Sequence, residues 1–240
     1  MLGVDAFVGD LDTAADLVMQ RATSGGGGYV CLCNVHLLML AQRDDAVRTA
    51  LRDAALVFPD GAPVAWLERR VGCESARRVA GAELMAGVLD RGRAAGLQHY
   101  LFGSTRPVLA NLVESLESRY PELEIAGAEA PRFDRIEEIA PPDDIGSAGI
   151  VWCALGAPKQ ELWMQRFAKQ LAPAVVVGVG AAFDFLAGTK KRAPVWMQRR
   201  GLEWLHRLSC EPHRLAGRYV TTNSQFLIRA SAELARRRLA

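Results

Sequence analysis

The sequence predicts an α/β fold: a Rossmann-like, mostly parallel sheet with helices on both faces. Three stretches are continuous apolar runs rather than alternating ones, namely YVCLC (29–33), GIVWCALG (149–156) and AVVVGVG (174–180). Strands of this kind are covered on both faces, as in parallel sheets. Amphipathic segments separate the runs, and this alternation is typical of a parallel sheet. A chain of 240 residues is long enough to bury one substantial core.

The first element is a short helix, predicted from Asp12-Thr13 and the AADLVMQRA that follows, because acidic and hydroxyl residues favour a helix start. Asp10 and Asp12 have the spacing of a metal-binding pair. They precede a helix and follow no apolar strand, so we interpret them as caps and expect no metal. Gly25–Gly28 is interpreted as a connecting loop, since no Gly-Lys-Ser/Thr follows it.

The central elements follow from periodicity and turn composition. One amphipathic helix is predicted over 37–54 and a strand over 55–59, and Pro59-Asp60-Gly61 stops that strand as a turn. The alternation then continues with helices within 61–71, 82–95 and 106–120 and with strands at 99–103 and 123–128.

Charge is unevenly distributed along the chain. From Lys190 to Ala240 there are twelve Lys/Arg against three Asp/Glu, a net charge of +9, whereas residues 1–189 carry seventeen against twenty-four, a net charge of −7. Such asymmetry indicates an anionic partner: a diphosphate, an acidic membrane surface or both. We therefore predict an α/β domain over 1–190 and a basic helical appendage over 191–240.

Composition and spacing argue against several classes of protein. No run approaches the roughly 18 apolar residues of a spanning helix, and the acidic N-terminus lacks the basic leader of a signal peptide, so we expect a cytoplasmic protein. The five cysteines form no CxxC, and neither cysteines nor histidines have zinc spacing. Nucleic acid is not an expected partner, because the basic residues lack interleaved aromatics on a sheet face.

Polar residues follow five of the predicted strands. They are Asn34, Asp60-Gly61, Ser104, Lys159-Gln160-Glu161 and Asp184. Ligands of parallel α/β sheets bind beyond the carboxyl ends of the strands, and we expect these tips to converge on one edge. A carboxylate base, an amide and several backbone donors suit a polar, hydroxyl-rich ligand from which one proton is removed.

Each of these side chains also has a structural interpretation. Asp60 either accepts a proton from an attacking hydroxyl or hydrogen-bonds its own backbone as a turn former. Gln160 and Glu161 lie in the first turn of a helix that Pro158 opens, where they act either as caps or as ligands. Asp184 stands between two phenylalanines, and a carboxylate there needs a donor from the protein or from a ligand.

Arginines dominate the basic C-terminal segment. Arg207, Arg214 and Arg218 are spaced by seven and four residues, and guanidinium groups near a cleft bind diphosphate bidentately. The alternative is a solvated basic face. Further on, FLIRASAELARRRLA (226–240) is predicted to form an amphipathic helix. Its apolar residues and Trp196 beside the positive charge are typical of helices that lie on a membrane surface. A helix that binds a partner protein is the alternative.

Two other functions stay open. An oxidoreductase would use the glycines of GVGAAF (178–183), but a dinucleotide loop needs a third glycine and an acidic residue about 20 positions further on. A non-catalytic scaffold would dock on a membrane or on an acidic protein through the basic segment.

A series of segments, in order and at matching spacing over roughly residues 30–220, resembles the WecG/TagA/CpsF glycosyltransferase family. They are Asn34, PDG (59–61), RVAGAEL (78–84), YLFG (100–103), LGAPKQE (155–161), GVGAAFDFLAG (178–188), RAP (192–194) and EWLHRLSCEPHRLAGRY (203–219). The resemblance implies an inverting transferase that needs neither metal nor cofactor. It would move N-acetylmannosamine, its uronic acid or another hexose from a UDP-sugar donor to a polyprenyl-diphosphate-linked saccharide at the cytoplasmic membrane face.

The resemblance also implies residue roles. Asp60 would be the general base and Gln160 a substrate-positioning amide, while Asp184 would contact the uracil. Arg207, Arg214 and Arg218 would hold the diphosphate. The remaining expected substrate contacts are Asn34, Gly61, Gly103, Lys159 and Glu161. The appendage would complete the active site and associate with the anionic membrane, with a change between a homo-oligomeric dimer and a monomer.

One position departs from the family. Members often have Thr-x-Asn after the first strand, whereas Leu32-Cys33-Asn34 stands here. The hydroxyl contact expected near the acceptor is therefore missing, which leaves the identity of the sugar and of the acceptor open.

Overall fold

The computed structural model describes residues 2–7, 9–132 and 138–239, without the side chains of Arg199, Arg214, Leu215, Arg218, Arg238 and Leu239. Its strands are β1 (Tyr29–Cys33), β2 (Leu56–Pro59), β3 (His99–Gly103), β4 (Ile125–Glu129), β5 (Ile150–Ala154) and β6 (Val175–Gly178). They form one sheet in the order β2-β1-β6-β5-β3-β4, and every pairing is parallel. The predicted α/β class is confirmed.

Helices cover both faces of this sheet. They are α1 (Leu11–Thr23), α2 (Val35–Ala41), α3 (Asp45–Arg52), α4 (Ala62–Arg70), α5 (Gly81–Gly92), α6 (Arg106–Arg119), α7 (Lys159–Phe167), α8 (Ala182–Leu186), α9 (Val195–Arg199), α10 (Glu203–Cys210) and α11 (Pro212–Leu239). Apolar residues of α2, α3 and α7 pack on one face, and those of α1, α5, α6 and α8 pack on the other. Residues in β1, β3, β5 and β6 are buried throughout, which explains the unbroken apolar sequences of β1, β5 and β6; β3 differs in that it begins with the buried His99.

Helix caps account for one confirmed and one wrong prediction. Asp10 caps α1, since its Oδ1 accepts from the Thr13 amide at 2.9 Å. The single helix predicted over 37–54 is instead α2 and α3, because Asp44 caps a new helix by accepting from the Ala46 and Val47 amides at 2.9 and 3.2 Å. Both helices present apolar residues to the same core, so the hydrophobic pattern alone does not reveal the break.

The C-terminal helices pack back onto the sheet body. On α11, Thr222, Phe226 and Ala230 are buried, and the helix lies against α2. The Arg237 guanidinium donates to the Val71 carbonyl oxygen at 2.9 Å, which ties the far end of α11 to the end of α4. Among the described residues, no helix is both long enough and apolar enough to span a bilayer. The division of the chain at residue 190 stays a prediction.

Candidate active site

The carboxyl ends of the parallel strands lie at one edge of the sheet. The chain leaves β1 and β5 towards α2 and α7 on one face, and it leaves β3 and β6 towards α6 and α8 on the other. Neighbouring connections that depart to opposite faces open a crevice at that edge, where ligands of such sheets bind. Asn34, Asp60 and the 155–161 loop all lie at this edge.

The turn after β2 carries Asp60. The Asp60 amide donates to the Cys33 carbonyl oxygen at 2.9 Å, and the Val79 amide donates to that of Pro59 at 2.8 Å, so the end of β1 and the segment that precedes α5 fix the turn. Gly61, with a φ of 91°, allows the chain to enter α4. The Asp60 carboxylate is partly buried and makes no hydrogen bond or ion pair within the described residues. It therefore does not bond its own backbone, as the turn-former alternative required.

Burial raises the pKa of the Asp60 carboxyl to about 6. Arg78 and Arg207 lower this pKa, while Glu203 and Glu83 raise it. The structure thus brings Arg207, on α10, within electrostatic reach of Asp60. A carboxyl with this pKa is deprotonated at pH 7 and is a stronger base than an ordinary aspartate.

Four charged side chains beside Asp60 form a closed ring of ion pairs, hereafter the charge ring: Arg78, Glu83, Arg192 and Glu203. Arg78 donates to Glu203 at 2.8 Å and to Glu83 at 2.9 Å, and Arg192 donates to Glu83 at 2.7 Å and to Glu203 at 3.2 Å. Their side chains are only 18–29% exposed. Arg78 and Glu83 belong to the sheet body, and the other two belong to the C-terminal segment.

The 155–161 loop is closed by a buried amide–carboxylate pair. The Gln160 Oε1 accepts from the Gly156 amide at 3.2 Å, and the Gln160 Nε2 donates to Glu161 Oε1 at 2.8 Å. Within the part of the chain that the structure describes, the second Glu161 oxygen is buried without a hydrogen-bond partner, and burial raises the pKa of this carboxyl to about 7. Gln160 therefore fixes the loop from inside, while Lys159 beside it is exposed.

Asp184 obtains its donor from the protein. The Lys190 Nζ lies 3.5 Å from Asp184 Oδ1 and 3.4 Å from Glu211 Oε1, so this lysine links α8 to the residue that follows α10. The Asp184 side chain remains 22% exposed. Of the other predicted diphosphate contacts, the side chains of Arg214 and Arg218 lie outside the described part of the chain, and their roles stay predictions.

Three positions near the strand ends have a clear structural role. Asn34 caps α2, since its Oδ1 accepts from the Leu37 amide at 3.1 Å. Gly103 has no room for a side chain, because a Cβ would lie 2.7 Å from the Ala154 carbonyl carbon. Leu32, where family members often have threonine, is buried against α5 and faces away from solvent. These contacts explain the residue types at the three positions.

The charge ring was not predicted from the sequence. Its four members lie in RVAGAEL, RAP and the start of EWLHR, which are segments that resemble the family. The signal that could have found them is that each of these segments contains a charged residue. Nothing local indicated that charges separated by up to 125 positions would meet. Within the residues that the structure covers, no group of three or more His, Cys, Asp or Glu side chains could hold a metal ion, and metal independence stays a prediction.

Comparison with known proteins identifies the family. The whole chain, residues 1–240, matches the sequence model of the glycosyl transferase WecG/TagA/CpsF family. Two similar proteins are named N-acetylglucosaminyldiphosphoundecaprenol N-acetyl-beta-D-mannosaminyltransferase. The one from Bacillus spizizenii is 29% identical over 188 residues, and the one from Bacillus subtilis is 28% identical over 188 residues. In both cases the match covers 78% of this chain and 73% of the relative. The findings favour a transferase over an oxidoreductase or a scaffold.

Proposed function

Because the chain belongs to the WecG/TagA/CpsF glycosyltransferase family, we propose that it transfers a sugar from a UDP-sugar to a polyprenyl-diphosphate-linked saccharide in cell-surface or exopolysaccharide synthesis. The sugar is of the N-acetylmannosamine type or another hexose. The names of the two relatives support a lipid-linked acceptor that carries N-acetylglucosamine. The structural observation behind this proposal is Asp60, a carboxylate at the crevice edge that has no ion pair among the described residues and on which Arg78 and Arg207 act electrostatically.

In the proposed reaction, Asp60 accepts the proton of the acceptor hydroxyl as that oxygen attacks the anomeric carbon. The bond from this carbon to the UDP oxygen breaks on the opposite face, so the configuration inverts. A base near pKa 6 suits the task, because it is free of its proton at neutral pH and still strong enough to help the attack.

The departing UDP carries developing charge that must be stabilised. Arg207 already lies near Asp60, and we assign it, with Arg214 and Arg218, to the diphosphate. Guanidinium groups bind phosphate oxygens bidentately and can replace a divalent ion in this role. No metal or other cofactor is part of the proposal.

The other predicted contacts retain their proposed roles. Gln160 positions substrate by holding the 155–161 loop, with Lys159 exposed at its end and Glu161 beneath it. Asp184 meets the uracil through its Oδ2, since Oδ1 is the oxygen paired with Lys190. Backbone at Gly61 and Gly103, with the Asn34 amide, completes the surface around the sugar.

The C-terminal segment supplies a surface for an anionic membrane. Several large apolar side chains there are exposed although the opposite side of α11 is buried against α2: Val195, Trp196, Trp204, Leu205, Val220, Leu227 and Ile228. Apolar residues beside a net charge of +9 are typical of helices that lie on acidic bilayers. We therefore propose a cytoplasmic protein that binds the inner membrane face, where its lipid-linked acceptor resides, as a monomer or a homo-oligomer.

The decisive experiment compares Asp60→Asn with Asp143→Asn, which changes an exposed aspartate far from the charge ring in sequence. UDP-sugars are first ranked by thermal shift, and transfer to a lipid-linked saccharide is then measured with the hits. Asp60→Asn should abolish transfer while the thermal shift with the donor persists, and Asp143→Asn should behave as the unsubstituted protein. Undiminished turnover in Asp60→Asn would remove Asp60 from its role.

A further inference from the structure

Arg78 precedes Val79, whose amide donates to the carbonyl oxygen of Pro59 next to Asp60, and yet the Arg78 guanidinium does not pair with Asp60. Its charge is the largest opposing influence on the carboxyl, after burial, but both of its terminal nitrogens are engaged by glutamates. One nitrogen donates to Glu203 and the other to Glu83, at 2.8 and 2.9 Å. Asp60 is left without an ion pair within the described residues.

The two glutamates have different origins. Glu83 lies in the first turn of α5 and is part of the sheet body, whereas Glu203 is the first residue of α10. Arg192 joins them from the C-terminal segment, with bonds of 2.7 and 3.2 Å. Two of the four ring contacts, Arg78–Glu203 and Arg192–Glu83, therefore connect the segment to the body. The ring members are largely shielded from water, where charge-assisted contacts hold their geometry better than on an open surface.

We propose that Glu203 is a positioning residue for Asp60: it holds the Arg78 guanidinium away from that carboxylate, so the docked C-terminal segment leaves the base unpaired. This inference rests on the proposed function, in which Asp60 is the base. When the C-terminal segment leaves the body, Glu203 and Arg192 leave with it. Arg78 then keeps Glu83 as its partner, and its released nitrogen donates to the Asp60 carboxylate. This contact occupies the carboxylate lone pairs that would otherwise accept the proton of the acceptor hydroxyl.

The electrostatics agree with this arrangement. Glu203 raises the pKa of Asp60, and Arg78 lowers it. Neutralising Glu203 removes a negative neighbour and frees a positive one, and both changes lower the pKa of the carboxyl. The charges that act on Asp60 from the packed elements are those of Arg78, Glu83, Glu203 and Arg207.

The test uses the chain of 240 residues and three variants of it. Glu203→Gln removes two ring contacts and releases Arg78. Arg192→Gln is the matched control, since it also removes two ring contacts but leaves Arg78 on both glutamates. The third variant combines Arg78→Gln with Glu203→Gln. The carboxyl of Asp60 is titrated directly by carbon-13 NMR, and the acidic limb of kcat/KM is measured for the first two variants.

In Glu203→Gln, Asp60 should titrate at least about half a pH unit lower than in the unsubstituted protein, with kcat reduced and KM for the donor little changed. Arg192→Gln should leave the titration in place. In the double variant the pKa should rise again, a reversal that a structural disturbance does not produce. An unshifted Asp60 in Glu203→Gln, an equal shift in Arg192→Gln, or no reversal would each overturn the proposal.

The NMR titration needs no turnover, so the two proposals can fail separately. If the pKa of Asp60 falls in Glu203→Gln but the protein transfers no sugar, the proposed function is contradicted and the positioning role of Glu203 is supported. If sugar transfer is normal and the pKa of Asp60 does not change in Glu203→Gln, the positioning role is contradicted and the proposed function is supported.

Discussion

Glu161→Gln should stabilise this protein as the pH rises. Glu161 is fully buried; among the described residues one of its oxygens has no hydrogen-bond partner, and the other accepts from Gln160. Burial raises the pKa of the carboxyl from 4.5 to about 7. The folded protein therefore retains a proton that the unfolded chain releases, and glutamine, which never ionises, avoids the cost of the buried charge.

The size of the effect follows from the two pKa values. A folded pKa raised from 4.5 to about 7 means that the stability of the native protein, relative to the variant, is fully present below pH 4.5. As the pH rises from 4.5 towards 7 the native protein loses stability relative to the variant, and above pH 7 the difference between the two no longer changes. The whole change corresponds to about 3 kcal/mol, of which about 2.5 kcal/mol falls between pH 5 and pH 8.5.

Urea unfolding at half-unit steps from pH 5 to pH 8.5, followed by circular dichroism, measures this difference. Glu117→Gln, on the exposed side of α6, is the matched control for loss of a carboxyl. The difference in unfolding free energy between the native protein and Glu161→Gln should fall steadily with pH, whatever its absolute sign. A difference that is constant over this range would refute the reasoning.

Three further predictions concern stability and docking. Burial lowers the pKa of His99 from 6.5 to about 4, so stability is full above pH 6.5 and falls by about 3 kcal/mol as the pH drops to 4. His99→Asn, which keeps an acceptor for the Trp152 Nε1 donor, should remove that slope in acid unfolding curves, and exposed His213→Asn is its control. Gly103→Ala should lower the free energy of unfolding in urea by at least about 2 kcal/mol, because the new Cβ would clash with Ala154 and the backbone φ is 114°. Gly217→Ala in α11 is the control: its Cβ meets no atom within 4 Å, so the change should be neutral or stabilising. Phe226→Ala should weaken the packing of α11 by about 3 kcal/mol and raise the rate of amide hydrogen exchange along that helix. Leu227→Ala, at a residue that is 61% exposed, should leave the exchange rate unchanged. Equal exchange rates in the two variants would contradict the docking of α11 through Phe226.

The fold was predictable because its signals are local. Unbroken apolar runs marked β1, β5 and β6, and the strand at 99–103 was placed at its observed bounds. The break between α2 and α3 was missed for a physical reason: a cap is a single hydrogen-bonding side chain, and Asp44 looks in sequence like any polar residue on a helix surface.

The candidate site was only partly predictable. Asp60 and Arg207 come from a turn and from a basic helix, and the structure places them near each other. The charge ring depends on two contacts between distant segments, and such contacts are set by the packing of α10 against the body. A single sequence shows that Glu203 is charged, but not that its partner is Arg78.

The same packing changes the meaning of the +9 charge of the C-terminal segment. Several of its cations are bound within the protein: Lys190 by Asp184 and Glu211, Arg192 by the charge ring, and Arg237 by Glu233 and a backbone oxygen. These charges are less available to a lipid headgroup than the count suggests. Lys191, in contrast, is exposed and stands four residues before Val195, which is 60% exposed.

Lys191 and Arg192 therefore form a matched pair for testing membrane contact. A lysine at an acidic bilayer contributes about 1 kcal/mol, so Lys191→Gln should weaken binding to vesicles that contain anionic lipid about fivefold. Arg192→Gln removes the same formal charge from a position already neutralised by Glu83 and Glu203, and the direct loss should be much smaller. Cosedimentation at low and at physiological salt measures both. Equal losses for the two variants would mean that binding follows net charge alone, and that the folded arrangement of these side chains does not direct the protein to the membrane.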